Sequence, residues 1–230
     1  MTVIQFDELC RRANALGLAV RGGFHPQPGE LDRHLPGFSV RTVVMLGFTG
    51  GAQWNFFKLS PEAADRLPDP LDRWSRRIIG SLAREWRAAD IYPNGPPWPP
   101  LSFQGLALRG EPVHRSPIGL LIHPAWGLWH AYRGALLMPD RLELPNVEDS
   151  VSPCDGCAAR PCLSACPVNA FQPGGYDVAA CVAHVRSAAG VDCRERGCRA
   201  RNACPVAPGS RYGASQTRFH MRAFLRAGAP

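Results

Sequence analysis

The chain has 230 residues, 45% of them hydrophobic, with 26 basic against 19 acidic side chains and nine cysteines. That length supports one full core plus a small module, and the lack of any run of about eighteen apolar residues excludes an ordinary membrane-spanning helix. The opening stretch "MTVIQFDELCRR" lacks the order of a secretory signal. The expectation is therefore a cytoplasmic protein, in which thiols stay reduced and cysteines ligate metal rather than pair as disulfides. The net charge of +7 comes almost wholly from arginine, Lys58 being the single lysine. Such a balance ordinarily suits a polyanion, but anionic metal–thiolate groups would cancel part of it, and nucleic acid is not expected as a partner.

In chain order, residues 3–17 place apolar side chains at near-helical spacing and stop at Gly17, with Cys10 on the apolar face as a core residue. "LAVRGGF" and "VRTVVMLGF" read as strands, the second apolar enough to be fully buried, separated by the turn-rich "HPQPGELDRHLPG". Residues 69–91 carry Leu71, Trp74, Ile78, Leu82 and Trp86 at steps of three or four, with Asp69 as N-cap and Pro70 in the first turn. They predict an amphipathic helix whose arginines face solvent. "YPNGPPWPP" is a rigid proline loop of the kind that lines pockets. "LSFQGLALRGE" predicts a short helix, and "IGLLIH" and "LWHAYRGALLM" a strand pair turned by "PAWG". The reading gives an α/β (α+β) domain over residues 1–140, a polar linker over 141–150, a cysteine-punctuated loop domain over 151–208 and a basic helical tail over 209–230. In the tail, Phe219, Phe224 and Leu225 are available to pack back.

The chemistry is concentrated in the cysteines. One group runs Cys154, Cys157, Cys162, Cys166 and then Pro167; the other runs Cys181, Cys193, Cys198, Cys204 and then Pro205. Both finish with Cys-Pro, the ending of the bacterial two-cluster ferredoxin run, in which the fourth cysteine of a group ligates the other cluster. Structural zinc prefers two short cysteine pairs per site, and only Cys154 to Cys157 has that spacing. Zinc and unligated thiols remain the alternatives. The cross-ligation rule assigns Cys154, Cys157, Cys162 and Cys204 to one [4Fe-4S] cluster, and Cys166, Cys181, Cys193 and Cys198 to a second. Such pairing serves electron transfer, and two clusters of charge about −2 offset roughly four of the positive charges.

The stretch "IHPAWGLWHAYRGALLMPDRLELP", residues 122–145, resembles the "HPxxGxWxxxRG" segment of CblC-type cobalamin-processing proteins and is similar to the corresponding part of epoxyqueuosine reductases. In the latter a two-cluster module follows directly. The resemblance covers residues 100–206. It implies a nitroreductase-like domain that holds a cobalamin, followed by a small dicluster ferredoxin-like domain whose clusters feed electrons to the cobalt. Trp98, Trp126 and Trp129 would then give flat walls to the cofactor, and His123, His130 and Arg133 polar contacts. FMN is the second choice.

The proton-donating acid of those reductases falls at Pro97 or Trp98, neither of which is an acid. The helical-repeat extension found on many of them does not follow. Another substrate is therefore expected. The functional expectation is an oxidoreductase supplied by ferredoxin, flavodoxin or their reductases; the alternative is a non-catalytic dicluster electron carrier that docks to an acceptor enzyme.

Overall fold

The computed structural model describes residues 5–31, 34–96, 101–147 and 150–227. The chain divides into two compact units, Met1–Pro112 with His130–Asp149, and Val113–Trp129 with Ser150–Pro230. Neither unit is contiguous, unlike the expected division near residue 140, because residues 113–129 group with the cysteine region.

The first unit is built on one four-stranded sheet. Helix α1 (Phe6–Ala15) buries Leu9 and Ala13 and ends where Gly17 adopts φ +84°. A Cβ at Gly17 would lie 2.4 Å from Phe56 Cβ, so both the backbone and the space call for glycine. Strands β1 (Ala19–Phe24) and β2 (Thr42–Thr49) follow as an antiparallel pair, and β2 is buried along its length except for its last residue. Two short helices not expected from the sequence, α2 (Trp54–Lys58) and α3 (Pro61–Ala64), lead into α4 (Pro70–Glu85).

Helix α4 starts where expected, with Asp69 as N-cap and Pro70 in its first turn, but stops earlier than residue 91. Asp69 lies in the left-handed region and makes no side-chain cap bond; its carbonyl accepts from the Arg73 N–H instead. Arg87, at φ +52°, ends the helical run, and Ala89–Ile91 becomes strand β3 because it pairs with β6 (His130–Met138). The helix's arginines are not merely solvated: Arg73 makes a two-point pair with Asp65, and Arg77 with Glu62.

The sheet order is β1-β2-β6-β3 and every pairing is antiparallel, so the unit is α+β. Trp74, Ile79 and Leu82 of α4 and Phe48, Leu136 and Leu137 of the strands form its dry core. Helix α5 (Phe103–Gly110) is capped by Ser102, whose hydroxyl accepts from the Gly105 N–H. Just beyond it, Glu111 accepts from Arg21 at 2.7 Å, with both side chains only 1% exposed. Burial pushes the Glu111 carboxyl up and Arg21 pulls it back down.

The second unit has little sheet. The expected pairing of "IGLLIH" with "LWHAYRGALLM" does not form: β5 (Leu121–Ile122) pairs with β4 (His114–Arg115), while β6 pairs with β2 and β3. A single bridge, His123 to Gly127, closes the "PAWG" turn. Gly127 has φ +56°, and a Cβ there would lie 2.4 Å from the Val206 carbonyl oxygen, two residues after Cys204. This segment is thus packed directly on the end of the second cysteine group.

The region expected to be loop holds several short elements. These are α6 (Pro161–Ser164), a hairpin of β7 (Phe171–Gln172) and β8 (Gly175–Tyr176), α7 (Val178–Arg186), α8 (Val191–Arg196) and α9 (Arg199–Asn202). Helix α10 (Ala214–Ala227) occupies the predicted tail helix and packs on α8 and α7.

Candidate metal centres and flanking residues

The core of the second unit is made partly of the cysteines themselves. Ile118, Ile122 and Leu128 from residues 113–129 pack with Ala170, Ala200, Cys166 and Cys204, and four more of the cysteines flank this cluster. A short excursion of chain thus supplies the apolar floor that the cysteine region cannot build from its own small residues. None of the nine cysteines is in a disulfide.

Around that floor are two cavities. Cys154, Cys157, Cys162 and Cys204 line the first, about 20 Å³, together with Ile122, Arg160 and Pro205. Cys166, Cys181, Cys193 and Cys198 line the second, about 210 Å³, with Tyr176, His184, Arg199, His220 and Phe224 among its walls. Cys204 joins three cysteines that precede it by more than forty residues, and Cys166 leaves its sequence neighbours for the later three.

The electrostatics follow the same division. Burial, then the neighbouring Cys204, Cys162 and Cys157, raise the Cys154 thiol, and burial, then Cys204 and Cys157, raise that of Cys162. In the second set burial again dominates, with Cys166 acting on Cys181, and Cys181 and Cys193 on Cys198.

Short helices explain the convergence. Pro161 opens α6 and so presents Cys162; Asp177 caps α7 by accepting from the Ala180 N–H at 2.9 Å, which fixes Cys181 in the first turn. Cys198 immediately precedes α9, and Cys204 follows it. Among the described residues no group of three or more His, Cys, Asp or Glu side chains is set to hold a single metal ion. One zinc needs sulfurs at about 2.3 Å from a common centre; the two cavities, about 20 and 210 Å³, each have four cysteines in their walls.

Polar neighbours of the second set were not singled out from the sequence. The Tyr176 phenol shares the cavity wall with Cys181 and draws its thiol down against the effect of burial, and His184 Nε2 is 3.7 Å from Cys193 Sγ. The signal for His184 was its position three residues after Cys181 on one helix face; Tyr176 left none, because it depends on the hairpin. In the first set the Cys154 N–H donates to Ser152 Oγ at 3.2 Å.

The expected cofactor walls do not gather in either unit. Trp98 lies outside the described residues, as does Pro97. His123, Trp126 and Trp129 belong to the second unit, His130 and Arg133 to the first. Trp129 is buried, with the Arg201 guanidinium 4.5 Å from its ring centre and Tyr212 edge-on at 5.5 Å; Arg201 also donates to the Leu128 carbonyl. His123 Nδ1 accepts from the Ala125 N–H, and Trp126 is exposed. His130 is buried edge-on against Tyr132. Arg133 donates to Ser75 Oγ at 3.0 Å and to Asp72. Beside it a cavity of about 100 Å³ is lined by Asp72, Arg76, Tyr92, Asn94, Tyr132 and Arg133.

Comparison with family models and with curated proteins finds no match. Solved structures do match. Epoxyqueuosine reductase from Streptococcus thermophilus superposes with a TM-score of 0.51 at 15% identity, covering 87% of this chain and 65% of that one. A selenomethionine-labelled epoxyqueuosine reductase gives 0.45 at 17% identity, over 95% of this chain and 63% of that one. An epoxyqueuosine reductase with a tRNA-Tyr epoxyqueuosine-modified stem loop gives 0.48 at 16%, over 93% and 62%. The chain spans just under two thirds of the length of these structures. The likeness at 0.51 shows the fold alone: a mixed helix and sheet architecture shared with that structure.

Proposed function

We propose that this chain is an iron–sulfur redox protein of the oxidoreductase class, holding one [4Fe-4S] cluster on Cys154, Cys157, Cys162 and Cys204 and a second on Cys166, Cys181, Cys193 and Cys198. The observation that carries the reading is the four-and-four grouping around two cavities, in which each set takes one cysteine from the other sequence group. The donor set fits: eight thiols stand in apolar surroundings, with Arg160 beside the first set and Arg199 beside the second to offset negative charge. A bound cluster supplies a reversible one-electron site. The chain's own residues hold the thiolates apart on short helices, and α10 screens the second cavity with His220 and Phe224. The electron donor is a one-electron carrier such as ferredoxin, flavodoxin or their reductases, in a cytoplasmic setting.

The proposed acceptor is a cobalamin in the first unit, with FMN second, on the strength of the resemblance over residues 122–145. The described residues do not by themselves fit a corrin: the cavity beside Arg133 is about 100 Å³, against about 300–1,000 Å³ for ordinary ligand sites. No step is derived through that group. The same observation favours a second reading, a dicluster carrier that delivers electrons to another enzyme. The fold likeness points toward epoxyqueuosine reduction, while Pro97 and Trp98 at the expected acid position point to a different substrate.

Anaerobically prepared protein should hold about eight iron and eight sulfide per chain. Cys157→Ser and Cys181→Ser should each remove about half, with different surviving EPR signals; zinc in place of iron overturns the reading. Titration with cob(II)alamin and with FMN separates reductase from carrier, and incubation with epoxyqueuosine-containing tRNA and reductant decides the substrate.

A further inference from the structure

The two cysteine sets differ in what donates to their sulfurs. In the second set, the Tyr176 phenol stands in the same cavity wall as Cys181, and Cys193 Sγ lies 3.7 Å from His184 Nε2. Neither contact is incidental. Tyr176 ends the β7–β8 hairpin opposite Phe171, whose ring stacks on its own at 4.9 Å and 12°. The stack fixes the phenol just before Asp177 starts α7. His184 lies one turn beyond Cys181 on that helix, so a single element carries a thiolate and a donor to another thiolate of the same set. A thiolate has no proton to give, so a bonded imidazole must present an N–H, which assigns the proton to Nε2. In the first set the corresponding side chain is Ser152, an aliphatic hydroxyl and a weaker donor than a phenol or an imidazole N–H.

We propose that Tyr176 and His184 are positioning residues for the second cysteine set, donating hydrogen bonds to the sulfurs of Cys181 and Cys193 that hold its reduction potential above that of the first set. The inference rests on the two-cluster reading. Reduction adds one negative charge, which spreads onto the ligand sulfurs, and donors aimed at those sulfurs stabilise the reduced form more than the oxidised one. With backbone N–H groups counted at Cys162 in the first set and at Cys166, Cys193 and Cys198 in the second, the second set still has the greater number of donors. An electron from a low-potential one-electron donor therefore settles first at the second set.

The test is an anaerobic potentiometric titration of the full chain with both clusters in place, read by EPR. Tyr176→Phe keeps the stack on Phe171 and removes only the hydroxyl; His184→Leu removes the N–H; His184→Gln retains an N–H donor. Each deleting variant should lower the equilibrium constant of the higher-potential step about tenfold, about 59 mV for one electron. The lower step should stay in place, and His184→Gln should recover most of the shift. Both steps unmoved, both moved together, or only the lower step moved would overturn the proposal. If His184→Leu fails to hold iron, the Tyr176→Phe and His184→Gln arms still decide it. A wild-type chain without cluster signals overturns the two-cluster reading as well, whereas intact signals with unshifted potentials overturn this inference alone.

Discussion

The two units bury their interiors by different means. In the first, an antiparallel sheet and one sixteen-residue helix close over Phe48, Trp74, Ile79, Leu82, Leu136 and Leu137, each 2% exposed or less. At about 25 cal/mol per Å² such side chains give a core that stands without help. In the second, α6 to α9 are four to nine residues long, and the cluster under the cysteines is Ile118, Ile122 and Leu128 with alanines and the thiols themselves, while Val182, Val185 and Trp129 are also buried in the unit. Helices that short are marginal in water on their own. A core whose wall atoms are sulfurs aimed at cavities is completed by what those sulfurs hold. The contrast makes burial sufficient for the first unit and, on the two-cluster reading, makes ligation the contribution the second unit would need.

The sharpest way to break that contrast is to remove iron. Chelation under anaerobic conditions should abolish the second unit's cooperative unfolding while the first retains its own transition, because metal-binding free energy is folding free energy where no other core suffices. Hydrogen exchange mapped along the chain should show amides of α7 to α9 losing protection and those of β2 and β6 keeping it. Equal protection in both units after chelation would remove the distinction.

A smaller effect probes the first unit from inside its core. Arg21→Met leaves the Glu111 carboxylate buried without its cation and should cost about 3–5 kcal/mol, seen as a lower denaturant midpoint with cluster absorbance unchanged at low denaturant.

The smallest concerns an ion pair of the same unit between a buried carboxylate and a half-exposed arginine. Glu62 accepts two hydrogen bonds from Arg77, at 2.5 and 2.9 Å, and that guanidinium holds its carboxyl down at about 2. A depressed carboxylate pKa contributes stability that is full above the unfolded value, about 4.3. It is lost as pH falls through the folded value. Glu62→Gln should therefore cost up to about 1 kcal/mol at neutral pH, and the difference from wild type should shrink between about pH 4 and pH 2.

Several parts of this protein are legible from the residues. The periods of α1, α4, α5 and α10 and the apolar run of β2 report which faces must be buried, and local pattern is enough for that. The division of the cysteines into two crossed sets also follows from the Cys-Pro endings, since it is a rule of spacing. The structure gathers the same two groups of four around its cavities, and whether iron occupies them is the experiment's to settle.

Other features are not local. The pattern of residues 118–138 suits a hairpin as well as it suits two segments with different partners, and only the pairing of β6 with β2 and β3 decides between them. The same decision sends Ile118, Ile122 and Leu128 under the cysteines. Gly127 could be read as a turn residue, but that its place is against the Val206 carbonyl requires the packed chain. The sequence by itself determined which side chains must leave water and which thiols belong together, because period and spacing are encoded along the chain. Only the tertiary structure decided which distant segment covers which face and which donors reach which sulfurs, because those choices depend on contacts between residues up to about a hundred positions apart.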